Sequence, residues 1–130
     1  MRNDKKNLIV DLTYKFTLQI IEYTELLEEK KRFNMANQLF KSGTSIGANV
    51  REAQNAESKN DFIHKLKISA KEADETEYWL SLCRDSKKYP NCDELLKEVE
   101  SIIRILSKII SSSKTSRNQS SNLQINTSSN

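Results

Sequence analysis

The chain has one histidine and two cysteines, His64, Cys83 and Cys92, which are side chains that often perform nucleophilic or metal-dependent chemistry. A cysteine nucleophile needs its histidine base within hydrogen-bonding distance. His64 and Cys83 fall near opposite ends of one predicted helix. At about 1.5 Å of rise per residue their separation is roughly 28 Å, so the two cannot pair within one chain. His64 lies beside Lys65 and Lys67 on a polar face, and we interpret it as a solvated histidine.

The number and spacing of potential metal-ligating residues do not indicate a metal or cofactor site. Two cysteines and one histidine are too few for a structural zinc site. A di-iron bundle needs Glu-x-x-His motifs on two helices, and the nearest approach here is a single Asp61-x-x-His64. Glu72 and Glu75 have no histidine partner, and the sequence lacks GxGxxG, P-loop and HExxH motifs. We therefore expect no metal, no cofactor, no small-molecule substrate and no enzymatic activity.

The composition is that of a soluble helical domain. The chain has 130 residues, 36% of them hydrophobic and 30% charged, with two glycines and one proline. Scarce glycine and proline disfavour an all-β sandwich, which needs frequent turn residues. No apolar run approaches the roughly 20 residues of a membrane span, and two cysteines fit a reducing compartment. These features predict a cytoplasmic protein with no membrane partner.

The end of the chain differs in composition from the rest. Residues 111–130 contain 8 Ser, 4 Asn, 2 Thr and 2 Gln, and only Leu123 and Ile125 are strongly apolar. Such a segment buries too little apolar surface to offset its conformational entropy. The sequence predicts one helical domain over residues 1–110 and a Ser/Asn-rich disordered tail over residues 111–130.

Four segments place apolar side chains at spacings of three and four residues, the pattern of helices packed through one face. They run from Leu8 or Leu12 to Leu27, from Phe33 to Ala56, from Asp61 to Arg84, and from Asn91 or Asp93 to about residue 110. Ser58 or Asn60 can cap the third helix. Short connections between helices of this length predict an all-α, antiparallel up-down four-helix bundle.

Both glycines of the chain, Gly43 and Gly47, lie inside the second predicted helix, four residues apart. Each costs about 0.5–1 kcal/mol relative to alanine. A missing Cβ lets two helix backbones come closer, so the pair predicts a close helix crossing. The alternative is a break in the helix at Ser42–Thr44.

The first and third predicted helices each carry a second set of apolar residues, on a different face from the main apolar stripe. The residues are Val10, Tyr14, Leu18 and Ile21 on the first helix, and Ile68, Trp79 and Leu82 on the third. A surface helix of a monomer needs only one apolar stripe. The second sets therefore predict that other copies of the chain cover these faces in a homo-oligomer.

Polar side chains line one flank of the apolar stripes on the second and third helices, and we call them the polar ridge. Its members are Gln38, Lys41, Ser45, Asn49 and Glu52 on the second helix, and Lys65, Ser69, Glu72, Glu75 and Thr76 on the third. If the two helices are neighbours, Lys41 with Glu72 and Lys65 with Glu52 are candidate ion pairs. The alternative is two solvated faces without a functional role.

Basic residues that could contact nucleic-acid phosphates cluster at the first helix connection and continue along the second helix. The candidates are Lys30, Lys31, Arg32, Lys41 and Arg51. Acidic residues interleave with them, so an ordinary solvated surface is the alternative.

The segment from Gln38 to Ala53 resembles the bacterial four-helix bundle family of 23S rRNA intervening-sequence proteins. The family pattern, roughly Q-hydrophobic-x-R-x-x-x-S-I-x-x-N-I-x-E-G/A, has seven matches and has Lys41 in place of the usual Arg. The matching residues are Gln38, Ser45, Ile46, Asn49, Val50, Glu52 and Ala53. Residues 58–66 and 72–80 resemble the family's third helix, and the resemblance covers about residues 10–110.

This resemblance implies an up-down bundle that assembles into a ring, most often a homopentamer. Members are encoded within intervening sequences of bacterial 23S rRNA genes or stand alone. A related branch assists reverse transcriptases of diversity-generating retroelements and binds nucleic acid. The resemblance supplies no catalytic motif. We therefore expect an oligomeric binding module for RNA or a ribonucleoprotein, with a protein–protein adaptor ring as the alternative.

Overall fold

The computed structural model describes the backbone of residues 4–128 and the side chains of residues 8–115. The helices are α1 (Asp4–Glu29), α2 (Phe33–Gln54), α3 (Lys59–Asp85) and α4 (Asp93–Ser128). The described residues include no strand. Each helix packs against the next in the chain, and α1 also contacts α4. The chain is therefore an all-α four-helix bundle, as predicted, with α1 and α3 at diagonal corners.

Local signals explain where the helices begin. Ser58 is the N-cap of α3, and its hydroxyl accepts a hydrogen bond from the Asp61 amide at 3.0 Å. The side chain of Asn91 accepts from the Asp93 amide at 2.8 Å at the start of α4. Both contacts satisfy amides that the first helical turn leaves without a partner. Helix α1 begins at Asp4, several residues earlier than the sequence pattern predicted.

Helix α2 runs without a break through Gly43 and Gly47, so the alternative, an interruption at Ser42–Thr44, does not occur. A Cβ added at Gly43 would lie 2.8 Å from Cγ2 of Ile20, and one at Gly47 would lie 3.1 Å from Oγ1 of Thr17. Both neighbours belong to α1. The glycines therefore do bring two helix backbones close together, and the crossing is between α1 and α2.

The core lies along the axis of the bundle and receives side chains from all four helices. Its largest fully buried members include Phe16, Ile20, Leu27, Leu39, Ile46, Leu66, Leu80, Ile102 and Leu106. These residues follow the spacing of three and four that predicted the helices. Within the described ranges, no helix combines the length and the apolar character that a transmembrane segment requires.

Helix α4 continues past the boundary predicted at residue 111 and ends at Ser128. The backbone of residues 111–128 has helical geometry. No glycine or proline follows Pro90 to interrupt it. The last fully buried residue of α4 among the described side chains is Leu106. The division into a domain and a tail at residue 110 stays a prediction.

Candidate binding surfaces

The residues of nucleophilic type lie far apart or in the interior. His64 is exposed near the start of α3, whereas Cys83 is buried near its end. Cys92 is also buried, and its thiol contacts the Leu80 carbonyl at 3.3 Å. Burial raises the pKa of the Cys83 thiol to about 11, which disfavours the reactive thiolate. Among the described residues, no three histidine, cysteine or acidic side chains could hold a metal ion.

Tyr23 connects α1 to the segment between α3 and α4. Its hydroxyl donates a hydrogen bond to the Pro90 carbonyl at 2.8 Å, and its ring is buried beside Cys83 and Cys92. Burial and the two neighbouring thiols raise the pKa of Tyr23. The cluster therefore has a structural role, because it holds all three groups neutral and closes one end of the core.

The polar ridge lies at the contact between α2 and α3, as its pattern predicted. Lys65 Nζ lies 3.1 Å from Glu52 Oε2, which is one of the two predicted ion pairs. Lys41 and Glu72 form no ion pair within the described part of the chain. Both partners of the observed pair reach solvent, and exposed pairs of this kind contribute little to stability.

Other members of the ridge bond to their own helix. The Ser45 hydroxyl donates to the Lys41 carbonyl at 2.6 Å, and the Asn49 amide donates to the Ser45 carbonyl at 2.8 Å. Gln38 and Glu75 are exposed. Glu72 is half-buried, and its pKa is raised first by burial and then by the charge of Glu75. The ridge thus brings together no group of side chains aimed at a common ligand.

Buried hydroxyl groups join α2 to α3, and two of them, Ser69 and Thr76, belong to the polar ridge. Thr76 Oγ1 and Ser42 Oγ are 2.9 Å apart, and the Ser69 hydroxyl donates to the Ile46 carbonyl at 2.8 Å. The sequence pattern placed Ser42 in the apolar stripe and Thr76 in the polar ridge, but it did not pair the two. Small hydroxyl side chains at core positions of two neighbouring helices are the signal that could have predicted it.

Replacing Thr76 by valine is expected to lower the free energy of unfolding by about 1–3 kcal/mol, because Ser42 would lose its buried partner. The double variant Ser42→Ala/Thr76→Val should lose less than the sum of the single losses, since no hydroxyl is then left unpaired. Urea unfolding of the four proteins at one protein concentration measures this coupling. Strictly additive losses would contradict a direct interaction between the two hydroxyls.

Apolar side chains reach the surface on α1 and on the neighbouring flank of α2. Tyr14 is 61% exposed and Leu18 48%, while Val10 and Ile21 are half-buried. A groove runs between the two helices, lined by Val10, Tyr14, Thr17, Thr44, Gly47 and Ala48. Phe40, which is 48% exposed on α2, was not among the predicted interface residues. We call this region the α1–α2 apolar face.

The second predicted interface region lies on α3. Leu82 is exposed, and Ile68 and Trp79 are half-buried. The indole nitrogen of Trp79 is buried without a hydrogen-bond partner, and its ring lies 5.2 Å from that of Tyr78, which is exposed. We call this region the α3 apolar face. Because α1 and α3 occupy diagonal corners, the two apolar faces are separate surfaces of the bundle.

The predicted phosphate-binding residues do not form one cluster. Lys30, Lys31 and Arg32 lie in the turn between α1 and α2, and Lys41 is exposed midway along α2. Arg51 lies near the other end of α2 and borders the groove of the α1–α2 apolar face. Arg32 and Arg51 are separated along α2 by roughly 28 Å. Only the three residues of the turn remain together.

The turn between α1 and α2 has an unusual backbone. Lys31 has a φ of 63°, in the left-handed region where glycine or asparagine is usual. The Lys31 amide donates to the Glu28 carbonyl at 2.9 Å and the Arg32 amide to the Leu27 carbonyl at 2.8 Å. Together these two hydrogen bonds form a Schellman motif. A side chain with a Cβ in this conformation costs about 1 kcal/mol or more.

These features define a class of protein: a four-helix bundle whose interior polar groups serve helix packing and whose outer surface carries separate apolar and cationic regions. The chain belongs to the 23S rRNA-intervening sequence protein family, whose model matches residues 5–108. This match confirms the resemblance carried by the second and third helices.

A solved structure from the same group is similar in both fold and sequence. It is a protein of unknown function from the S23 ribosomal protein family of Bacteroides thetaiotaomicron VPI-5482, determined at 1.70 Å resolution. The similarity covers 82% of this chain and 98% of that one, with 41% sequence identity and a TM-score of 0.77. No curated protein matches the chain.

Proposed function

We propose that this protein is a non-enzymatic, cytoplasmic homo-oligomer, a ring of five copies, that acts by binding RNA or a ribonucleoprotein. The observation that carries the proposal is the α1–α2 apolar face, where Tyr14 lines a groove and Leu18 and Phe40, on the same two helices, are each about half exposed. Contiguous apolar surface of this kind on a soluble protein commonly marks an interaction site.

A ring fits the arrangement of the apolar faces better than a symmetric dimer does. A two-fold dimer pairs one surface with itself, whereas a ring pairs two different surfaces of successive copies. This chain offers two different surfaces, the α1–α2 apolar face and the α3 apolar face, on diagonal helices. If the α1–α2 apolar face of one copy binds the α3 apolar face of the next, every added copy still has one apolar face uncovered. Only a closed ring covers both faces of every copy.

RNA as the partner class is supported by the exposed cations of the α1–α2 turn and by the family's link to 23S rRNA genes. Lys30 and Lys31 are exposed and Arg32 is half-buried. Cationic side chains that neutralise phosphates supply most of the sequence-independent affinity for nucleic acid. The alternative, a protein–protein adaptor ring, would use the same apolar faces without any affinity for RNA.

Replacing Leu18 by glutamate is expected to dissociate the ring, because a charge would be buried in every subunit contact. Light scattering coupled to size-exclusion chromatography should give about five times the 15.0 kDa protomer for the wild type and about one times that mass for the variant. The matched control is Leu26→Glu, which places the same charge at an exposed leucine on another side of α1 and should leave the mass unchanged.

The same chromatography with structured RNA at two salt concentrations tests the partner class. A ring that binds RNA at low salt and releases it at high salt would support the proposal. A ring that does not bind RNA at either concentration would favour the adaptor. A monomeric wild type would contradict the assembly and its assignment to the two apolar faces.

A further inference from the structure

Two chain connections that are distant in sequence meet at one end of the bundle. They are the α1–α2 turn, residues 30–32, and the α3–α4 loop, residues 86–92. The guanidinium carbon of Arg32 lies 5.4 Å from the centre of the Tyr89 ring, which is within the range of a cation–π interaction. The next residue, Pro90, accepts the Tyr23 hydrogen bond at 2.8 Å, so the loop is anchored to α1 as well.

These two connections carry five cationic side chains and no carboxylate. We call the five, Lys30, Lys31, Arg32, Lys87 and Lys88, the loop cations. The connection between α2 and α3, residues 55–58, carries one acid, Glu57, and no base. Acids at the cationic end belong to the adjoining helices: Glu28 and Glu29 to α1, Asp85 to α3, and Asp93 and Glu94 to α4. Asp85 pairs with Arg84 at 3.0 Å.

Lys31 is the least expected of the loop cations. It occupies a left-handed backbone position at which glycine would be unstrained. Its side chain is exposed and makes no ion pair with any described residue. The Schellman motif at the end of α1 accounts for the left-handed backbone of Lys31, but it does not require a lysine side chain. The ammonium group of Lys31 therefore stays available to a ligand.

An aromatic side chain adjoins the loop cations on the surface. Phe33, the first residue of α2, is 56% exposed directly after Arg32. Tyr89 already packs under the Arg32 guanidinium, which fixes this charge in place. Proteins that bind single-stranded nucleic acid combine cationic side chains, which contact the phosphates, with exposed aromatic rings. The unpaired bases stack on these rings.

We propose that this end of the bundle is a site for single-stranded RNA, with the loop cations on the phosphates and Phe33 stacking on a base. The inference rests on the proposed function, since it names the surface and the kind of RNA that the ring would bind. In a cyclic assembly the same site recurs once per copy on one side of the ring. A single strand long enough to reach two copies would then gain affinity by avidity.

The first experiment measures the salt dependence of binding by fluorescence anisotropy of a labelled 20-nucleotide oligouridine. Each phosphate contact on a single strand contributes a slope of about −0.7 to the log–log plot, so five contacts predict roughly −3.5. The full-length wild type should then lose affinity about 100-fold between 50 and 200 mM KCl, whereas Lys87→Ala/Lys88→Ala should lose it about 20-fold. Lys67→Ala/Lys71→Ala removes the same charge from an exposed part of α3 and should retain the wild-type slope.

Two further variants separate base stacking and backbone strain from charge. Phe33→Ala should weaken binding about tenfold at every salt concentration without changing the slope, because it removes one stacking contact. Lys31→Gly should bind RNA more weakly and yet unfold at a higher urea concentration than the wild type, since it removes one charge and the strain together. A residue with a purely structural role would not move affinity and stability in opposite directions.

The outcomes distinguish failure of this site from failure of the proposed function. If the wild type binds no RNA, the proposed function fails and this inference with it. If the wild type binds RNA but the α3 control loses as much affinity and slope as the loop variant, RNA binding stands and this site is wrong. An RNA hairpin duplex bound as tightly as oligouridine, with Phe33→Ala unaffected, would contradict the single-strand assignment.

Discussion

Replacing Gly43 by alanine is expected to lower the free energy of unfolding by about 1–3 kcal/mol, although alanine is the better helix former. The added Cβ would lie 2.8 Å from Cγ2 of Ile20, a distance that Cβ atoms in real proteins essentially never show, and 3.0 Å from Cγ1. Ile20 is itself fully buried, so it has little room to move aside. Overpacking should therefore exceed the gain of about 0.5–1 kcal/mol from helix propensity.

Gly47 provides the matched control within the same helix. Its added Cβ would lie 3.1 Å from Oγ1 of Thr17 and 3.3 Å from the Thr13 carbonyl oxygen, contacts that require a shift of only a few tenths of an ångström. The free energy of unfolding of Gly47→Ala should stay within about 1 kcal/mol of the wild type, because propensity offsets the tighter contact. Urea unfolding at one fixed protein concentration compares the variants, since assembly makes apparent stability depend on concentration.

A double-mutant cycle with Ile20 shows whether the cause is the contact itself. Ile20→Ala removes all three side-chain atoms that the new Cβ would meet, at an expected cost of about 2–5 kcal/mol. In that background Gly43→Ala should be neutral or stabilising, because the space is free and the helix propensity gain remains. If Gly43→Ala lowered the free energy of unfolding equally in both backgrounds, the contact with Ile20 would not be the cause of the loss.

Above pH 9 the stability of this protein is expected to fall steeply. The pKa of Cys83 is raised by burial from 9.0 to about 11 in the folded chain, and burial also raises the pKa values of Cys92 and Tyr23. Between pH 9 and pH 11 the Cys83 thiol of the unfolded chain has lost its proton, whereas that of the folded chain retains it. The unfolded state then binds fewer protons, so the free energy of unfolding decreases as the pH rises.

The size of this decrease follows from the shift. One pKa unit corresponds to about 1.4 kcal/mol, so Cys83 accounts for a loss of about 2–3 kcal/mol between pH 9 and pH 11. Below pH 9 both states keep the thiol protonated, and this contribution is fully present. The measurement is urea unfolding at pH 8 and at pH 10.5, and its result is the difference between the two free energies.

Two variants assign the alkaline loss to the buried cluster. Cys83→Ala should be less stable than the wild type at pH 8 because of the lost packing, but its decrease up to pH 10.5 should be smaller by about 2 kcal/mol. Cys92→Ala should also reduce the decrease, because burial raises the pKa of this second thiol of the cluster. A Cys83→Ala protein with the wild-type pH dependence would show that the thiol does not titrate as its burial requires.

Much of the fold could be predicted from the sequence because helices are local. The spacing of residues such as Phe16, Leu39 and Leu66 repeats every three to four positions, and each of these side chains is buried as predicted. Two glycines in one helix predicted a close crossing, and a Gly43 Cβ would indeed clash with α1. Such patterns depend on neighbours along one helix, so the sequence alone contains them.

The sequence was less informative about ends and partners. Composition predicted a domain boundary at residue 111, but the backbone of α4 passes through this point to Ser128, so no helix end marks the boundary and the tail stays a prediction. Of the two candidate ion pairs, Lys65 with Glu52 forms and Lys41 with Glu72 does not. Both candidates fit the helical spacing equally, and only the relative height and rotation of α2 and α3 separate them.

Four amphipathic helices, their apolar stripes and the family pattern between Gln38 and Ala53 can all be recognised in the sequence. The contacts between distant residues are visible only in the folded bundle: Ser42 with Thr76, Tyr23 with Pro90, and Arg32 with Tyr89. Helical periodicity is fixed by the backbone of a single segment. Contacts between segments depend on how the helices are packed against one another, which the spacing of residues along one helix does not specify.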